Sequence, residues 1–319
     1  MRLGAVLVAV VVLATAPPVA AESPEFDLQA HAGGRGQATG ESLQAFAKSL
    51  ELGVSTLELD INVTKDHQPL VWHDSIIEPQ QCSDTGPAFA GDASYPYVGK
   101  PVHDLTRAQI HTLDCGKPNN QFPDAEVVQG NRIATLPDVF ALADSYHADV
   151  RYNIETKVAA DRPAISADPE EFVDVVLAAV RAAGKVDRVE IQSFDWRTLP
   201  LVHRAEPSIP LVALWDQDTW VADSPWLAGV NPAVVGDPII GATLVGTNIL
   251  SPDYSLVDKP LVDRSHSLGL KVIPWTVDDA HDMRAQIADG VDGLITNYPA
   301  RLRAVMSELG MPLPPAYHR

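Results

Sequence analysis

Short runs rich in Val, Ile and Leu alternate along this chain with longer stretches whose apolar positions recur every three or four residues. The first pattern fits a strand on a pleated surface, the second one face of a helix. Strands are predicted at 26–30, 56–63, 70–73, 148–155, 189–193, 210–214, 243–250, 271–276 and 293–296. The 70–73 run is read as continuing the 56–63 strand beyond the turn at Lys65-Asp66-His67, which leaves eight strands. Helices are predicted between them at 41–52, 136–146, 169–183, 196–204, 255–268, 278–287 and 299–309. Thr135 before Leu136-Pro137 and Asp168 before Pro169 are start signals, and Gly53, Gly184 and Gly269 are stops. Such alternation requires parallel strands joined by crossovers, hence an α/β fold, either a closed barrel or an open doubly wound sheet. A length of 319 residues is within the range of one barrel domain.

Three stretches depart from the alternation. Residues 75–131 are rich in Pro, Gly, Asn and Asp and read as an ordered insertion, not a separate domain. Residues 216–241, with Trp220 and Trp226 inside and Trp215 just before, form a smaller excursion. Residues 1–21 have the layout of a cleavable secretory signal: Arg2, an apolar run over 3–16, and the small residues Val19-Ala20-Ala21. The competing reading, a membrane anchor, needs about 20 apolar residues, and the run is shorter. The expected mature domain is therefore 22–319, exported and without a stable membrane span. Outside the cytoplasm, Cys82 and Cys115 of the insertion are better read as one disulfide than as two free thiols. A net charge of −19 argues against nucleic acid, whose phosphates demand clustered Lys and Arg.

Candidate chemistry centres on Leu57-Glu58-Leu59-Asp60-Ile61. Residues two apart on a strand share a face, so Glu58 and Asp60 project together while the aliphatics face the other layer. Solvent on the acidic face would explain this alternation, but the aliphatic partners argue for a buried element. Buried carboxylates then call for a hard cation, Ca²⁺ or Mg²⁺. Glu155 and Lys157 repeat the spacing and add a third carboxylate and an ammonium suited to a phosphate oxygen. His31 and His73 end two strand runs beside these residues, and imidazoles act as acid and base near neutral pH. The glycines after His31 would let backbone approach a phosphate, although no GxxxxGK[ST] loop is present.

The whole pattern resembles the glycerophosphodiester phosphodiesterase family. Its His-Arg-Gly, Glu-x-Asp and His-Asp signatures are matched by His31-Ala32-Gly33, Glu58-Leu59-Asp60 and His73-Asp74. The resemblance continues through Glu155-Thr156-Lys157, Gln192-Ser193-Phe194, Pro274-Trp275-Thr276-Val277, Asp292-Gly293 and Thr296-Asn297-Tyr298-Pro299. It implies a (β/α)8 TIM barrel with its site at the strands' C-terminal ends and the insertion above it. It further implies a phosphoric diester hydrolase acting on a small glycerophosphodiester to give glycerol 3-phosphate and an alcohol. In that reading His31 and His73 are the acid–base pair, and Glu58, Asp60 and Glu155 hold one divalent cation. Lys157 contacts phosphate, and Gln192 and Trp275 line the site.

Two departures qualify the resemblance. The family's arginine after the first histidine is Ala32 here, and Thr39-Gly40-Glu41-Ser42 stands where the family often reads Pro-Glu-Asn-Thr. Arg35, three residues past Ala32, is the candidate to replace the lost phosphate contact. Two other functions remain as alternatives. One is a phospholipase-type phosphodiesterase for lipid headgroups, which would want an apolar rim such as the tryptophans at 215, 220 and 226. The other is a binding or surface protein on a catalytically weakened barrel.

Overall fold

The computed structural model describes residues 25–319, so the predicted export signal at 1–21 lies outside the described residues. Nine strands appear there: β1 (Asp27–Ala30), β2 (Thr56–Val63), β3 (Pro69–Val71), β4 (Arg151–Thr156), β5 (Val189–Ser193), β6 (Leu211–Trp215), β7 (Ile249–Pro252), β8 (Lys271–Val272) and β9 (Gly293–Thr296). Eight of them run parallel in the order β8-β7-β6-β5-β4-β2-β1-β9. The β8–β9 seam is closed by Asp292 N–H donating to Val272 O at 2.8 Å and Ile295 N–H to Pro274 O at 3.0 Å. The result is a nearly closed parallel barrel with helices outside it.

Its helices are α1 (Leu43–Leu52), α2 (Arg107–Ile110), α3 (Leu136–Ser145), α4 (Pro169–Ala182), α5 (Thr198–Ala205), α6 (Pro232–Val235), α7 (Pro238–Thr243), α8 (Lys259–Ser267), α9 (Ala280–Asp289) and α10 (Pro299–Glu308). The expected start signals operate as caps. Ser42 Oγ accepts from Ala45 N–H at 3.0 Å, Asp168 Oδ1 accepts from Glu171 N–H at 2.8 Å, and Thr135 forms a capping box with Asp138. None of the described helices is long and apolar enough to cross a membrane.

Three local expectations change. The 70–73 run does not continue β2: β3 pairs with it antiparallel, Val71 opposite Ile61 and Pro69 opposite Val63. The turn after β2 therefore sends the chain back towards the barrel. The 243–250 run is not one strand either, because residue 243 ends α7 and β7 starts at Ile249. Asp237 caps Ile239 N–H at 2.9 Å and Pro238 occupies the first turn, signals that outweigh the β-branched content of 239–245. With α6, this short helix fills the position after β6. A Cβ on Gly241 would come within 2.5 Å of the Trp220 indole, so the ring packs directly on the α7 backbone. Finally, the three tryptophans offered as an apolar rim divide: Trp215 is buried on β6, while Trp220 and Trp226 are half-buried and pack against the main core.

The barrel interior is chemically divided. Val212, Ile249, Ile273 and Ile295, from β6 to β9, form an apolar half capped by Trp275. The other half, from β1, β2, β4 and β5, is polar. Gln29 amide N–H donates to Asp27 and Glu190, Asn153 amide N–H donates to Gln29 and Gln192, and Gln192 amide N–H reaches Glu58 at 2.6 Å. Both faces of β2 are buried. Leu57, Leu59 and Ile61 join the outer core with Phe46 and Phe140, while Glu58 and Asp60 face the interior.

Residues of the insertion build a small core of their own from Trp72, Ile77, Tyr97, Leu105, Leu113 and Ile133. Cys82 and Cys115 lie in it and are disulfide-bonded, closing a sequence separation of 33. The insertion is also fastened to the β1–α1 loop. Thr39 N–H donates to Glu126 O at 2.9 Å, Glu126 N–H to Gln37 O at 3.0 Å, and Val128 N–H to Thr39 Oγ1 at 2.9 Å. Replacing both cysteines by serine is expected to cost about 2–4 kcal/mol through the freed loop entropy, read as a lower denaturant midpoint. An unchanged midpoint would show that the insertion's apolar core holds it alone.

Candidate active site

Strand register sets the site. Asp60 of β2 lies opposite Glu155 of β4, which lies opposite Gln192 of β5, and Glu58 lies opposite Asn153. Three carboxylates are thereby gathered at the C-terminal ends of the strands. Glu58 is held by Ala32 N–H on Oε2 at 2.8 Å and by the Gln192 amide on Oε1. Glu155 Oε1 pairs with Lys157 Nζ at 2.8 Å. Asp60 is fully buried, and both its carboxylate oxygens lack a hydrogen-bond donor; Lys157 Nζ stands 3.5 Å from Oδ1.

Electrostatics reflect this crowding. Burial, reinforced by Asp60, pushes the Glu58 carboxyl well above its ordinary value. Burial likewise pushes Glu155 up to about 7, against the pull of Lys157. For Asp60 burial acts in the same sense, but Lys157, His73 and His31 together outweigh it and hold the carboxyl far below the usual range. Desolvation works against the Lys157 ammonium, yet Glu155 and Asp60 more than compensate and raise its pKa.

His31 follows β1 directly. Its Nδ1 is 2.6 Å from Asn297 Oδ1, and the Asn297 amide nitrogen donates to Asp278 Oδ2 at 2.6 Å. Because Asn297 spends its N–H on a carboxylate, its carbonyl oxygen faces the ring, so Nδ1 carries the proton. Nε2 is left as the free lone pair, 3.9 Å from Glu58 Oε2. Burial, with Arg35 nearby, lowers the imidazole pKa to about 4.

His73 arrives by a different route from the one its sequence position suggests. The antiparallel return of β3 brings it back beside Asp60, where Trp72 N–H donates to Asp60 O at 3.0 Å. Asn62, the next inward residue of β2, donates to Trp72 O at 2.8 Å and Asp74 O at 3.2 Å and so holds the turn around His73. Glu41 Oε2 accepts the His73 backbone N–H at 2.9 Å, and His73 Nδ1 meets Asp74 Oδ1 at 2.9 Å. Glu41 is itself buried with Oε1 unpartnered, and burial and Asp60 raise its carboxyl pKa well above the ordinary value. Sequence reasoning did not select Asn62, Asn297, Asp278 or Glu41 for the site. Asn62 had a signal, because it extends the inward alternation of Glu58 and Asp60.

The other predicted residues are placed as follows. Gln192 is buried with both amide ends used, bracing Glu58. Trp275 donates its indole N–H to Ser251 O at 2.8 Å and stacks edge-on with Phe194. Glycines of the His31 loop serve chain packing: an added Cβ on Gly33 would meet Phe46 at 2.9 Å, and one on Gly36 would meet Tyr298 at 2.5 Å. Arg35 lies with its guanidinium 5.0 Å over the Phe122 ring. It lines a cleft of about 530 Å³ that runs from Ala32, Glu41 and His73 to the insertion residues 117–127.

A divalent cation fits this donor set. Ligand atoms of His31, Glu58 and Asp60 lie within 4.8 Å of one another, and Glu155 adjoins Asp60 on the next strand. Two buried oxygens of Asp60 without donors are costly unless positive charge meets them, and carboxylate oxygens suit a hard cation better than an imidazole does.

Comparison with known proteins agrees with the geometry. The family model of the glycerophosphoryl diester phosphodiesterase family matches residues 31–301. A glycerophosphodiester phosphodiesterase of Caldanaerobacter subterraneus is 28% identical over 273 residues, covering 86% of this chain and 94% of its own. A solved structure from Silicibacter pomeroyi, provisionally described as a glycerophosphoryl diester phosphodiesterase, superposes with a TM-score of 0.77 at 26% identity, covering 90% of this chain and 95% of its own. An Oleispira antarctica phosphodiesterase solved with the product sn-glycerol-3-phosphate shares the fold, with a TM-score of 0.66 at 18% identity over 88% of this chain and 96% of its own. On the match across residues 31–301, this chain belongs to the glycerophosphoryl diester phosphodiesterase family and is a phosphoric diester hydrolase.

Proposed function

We propose that the protein hydrolyses glycerophosphodiesters to glycerol 3-phosphate and an alcohol with one divalent cation, Ca²⁺ or Mg²⁺, held by Glu58, Asp60 and Glu155. The observation that carries this reading is Asp60, fully buried beside Glu58 and Glu155, with Lys157 Nζ 3.5 Å from Oδ1 and the Glu41 carboxyl as its neighbours. When bound, the cation polarises a phosphodiester oxygen and offsets charge in the transition state. The product in the Oleispira antarctica structure, glycerol 3-phosphate, supports the substrate class.

The chain's own groups divide the proton transfers. His31, neutral at physiological pH and with Nε2 free, takes the proton from the nucleophile, either water or the adjacent glycerol hydroxyl, the latter giving a cyclic phosphate that water then opens to glycerol 3-phosphate. Asn297 and Asp278 keep it in that tautomer. His73, more exposed and paired with Asp74, protonates the leaving alkoxide. Arg35 supplies the phosphate contact that Ala32 lacks: stacking on Phe122 fixes the guanidinium plane and leaves its edge N–H groups for an anion. Export to an oxidising compartment is part of the same proposal, and the Cys82–Cys115 bond supports it.

The direct test is an assay on a glycerophosphodiester with Ca²⁺ or Mg²⁺, then with chelator; turnover in the chelated sample would contradict the metal's part. Glu58→Gln and Asp60→Asn should each lower metal affinity by at least about tenfold and remove turnover, read by calorimetry and product release. Unchanged affinity in both would overturn the ligand assignment.

Because Glu58 and Glu155 carry raised carboxyl pKa values, Glu155 to about 7, a cation must displace protons to bind. Metal affinity should rise with pH through about 7 as Glu155 loses its proton, with proton release measurable by calorimetry in buffers of different ionisation enthalpy. Arg35→Ala should raise KM about tenfold to a hundredfold with a smaller change in kcat, the mark of a lost ground-state phosphate contact.

A further inference from the structure

The cleft beyond His73 has a composition that the phosphodiester chemistry does not require. Its insertion wall is dominated by carboxamides: Gln80, Gln81, Asn119, Asn120 and Gln121. The apolar members of the lining are small, Val127 and Pro118 being the bulkiest aliphatic ones. Trp72 also lines it but is only 4% exposed. Phe122 is 9% exposed, with Arg35 over one side of it and Tyr298 at 6.1 Å. No free aromatic face therefore meets the cleft among the described residues.

Each possible leaving headgroup meets this wall differently. A quaternary ammonium is recognised by open aromatic faces, which are lacking here, and it would enter beside the cations Arg35 and Lys117. Of the carboxylates in the lining, Asp74 is engaged by His73 and Gln81 and Glu126 by Lys48 and Gln44, while Glu41 is buried and accepts the His73 backbone N–H on Oε2, its Oε1 alone being unpartnered. An acyl chain would find no continuous apolar wall. A hydroxyl, by contrast, both donates and accepts, as does each carboxamide. The volume, about 530 Å³, is that of a small-molecule site and leaves space past the phosphate for a ring-sized group. The two parts of the wall are joined by Lys117 N–H donating to Gln81 O at 3.4 Å, and the edge nearest the β1–α1 loop is tied down where Glu126 exchanges backbone bonds with Gln37 and Thr39.

We propose that this cleft selects glycerophosphodiesters whose leaving alcohol is a polyol, such as glycerol, an inositol or a sugar, over choline, ethanolamine or acylated headgroups. This specificity rests on the hydrolytic reading above. The test compares kcat/KM of the metal-loaded enzyme on glycerophosphoinositol, glycerophosphoglycerol, glycerophosphocholine and a lysophosphatidyl lipid. A polyol preference of about tenfold or more is expected, and Gln80→Ala with Asn120→Ala should bring that ratio towards unity. Hydrolysis without preference, or with choline or the lipid preferred, overturns the specificity and leaves the hydrolytic reading standing. A preference that survives both substitutions would overturn the assignment to this wall. No hydrolysis of any diester would overturn both.

Discussion

Concentration of like charge in a dry space is the constraint around which this molecule is arranged. Glu58, Asp60 and Glu155 share one half of a barrel interior, and water does not reach Asp60 at all. Each neighbour then reads as a response. Lys157 stands between Glu155 and Asp60, Gln192 and the Ala32 amide hold Glu58, and the opposite half of the barrel is filled with aliphatic side chains. The compensation is incomplete at Asp60, and that deficit is what the proposed cation would meet.

A second feature follows from chain direction. A barrel strand delivers its C-terminal residues upward, but His73 must come down to reach Asp60. The reversal of β2 into β3 solves this, with Asn62 and Glu41 pinning the returning backbone. The insertion then leaves from the top of the site instead of from the barrel's flank, which is why its polar wall borders the catalytic groups.

Much of this was legible in the sequence. The period-two spacing of Glu58 and Asp60 against Leu57, Leu59 and Ile61 identified the buried acidic strand, and Asp168 and Thr135 marked helix starts that the structure contains. Family motifs closed the choice between a barrel and an open sheet. The illegible parts depend on contacts far apart in sequence. The direction of β3 is an exception, because the short turn at Lys65-Asp66-His67 leaves room only for an antiparallel return, a parallel crossover needing a dozen or more residues. Asn297 and Asp278 act on His31 across 266 residues or through each other, and no local period reports such a pair. Gln192 is named for the site on the family motif alone, and its bond to Glu58 is a long-range contact that the motif does not report. Short α7 was hidden by β-branched composition that its cap overrules.

The Asn297–Asp278 brace also ties the site to the closure of the barrel. Carboxylates come from β2 and β4, complete in the chain by Thr156, whereas the groups that set the His31 tautomer lie past residue 277. Support for the His31 ring thus comes from the same segment, β9 and its flanks, that completes the ring of strands.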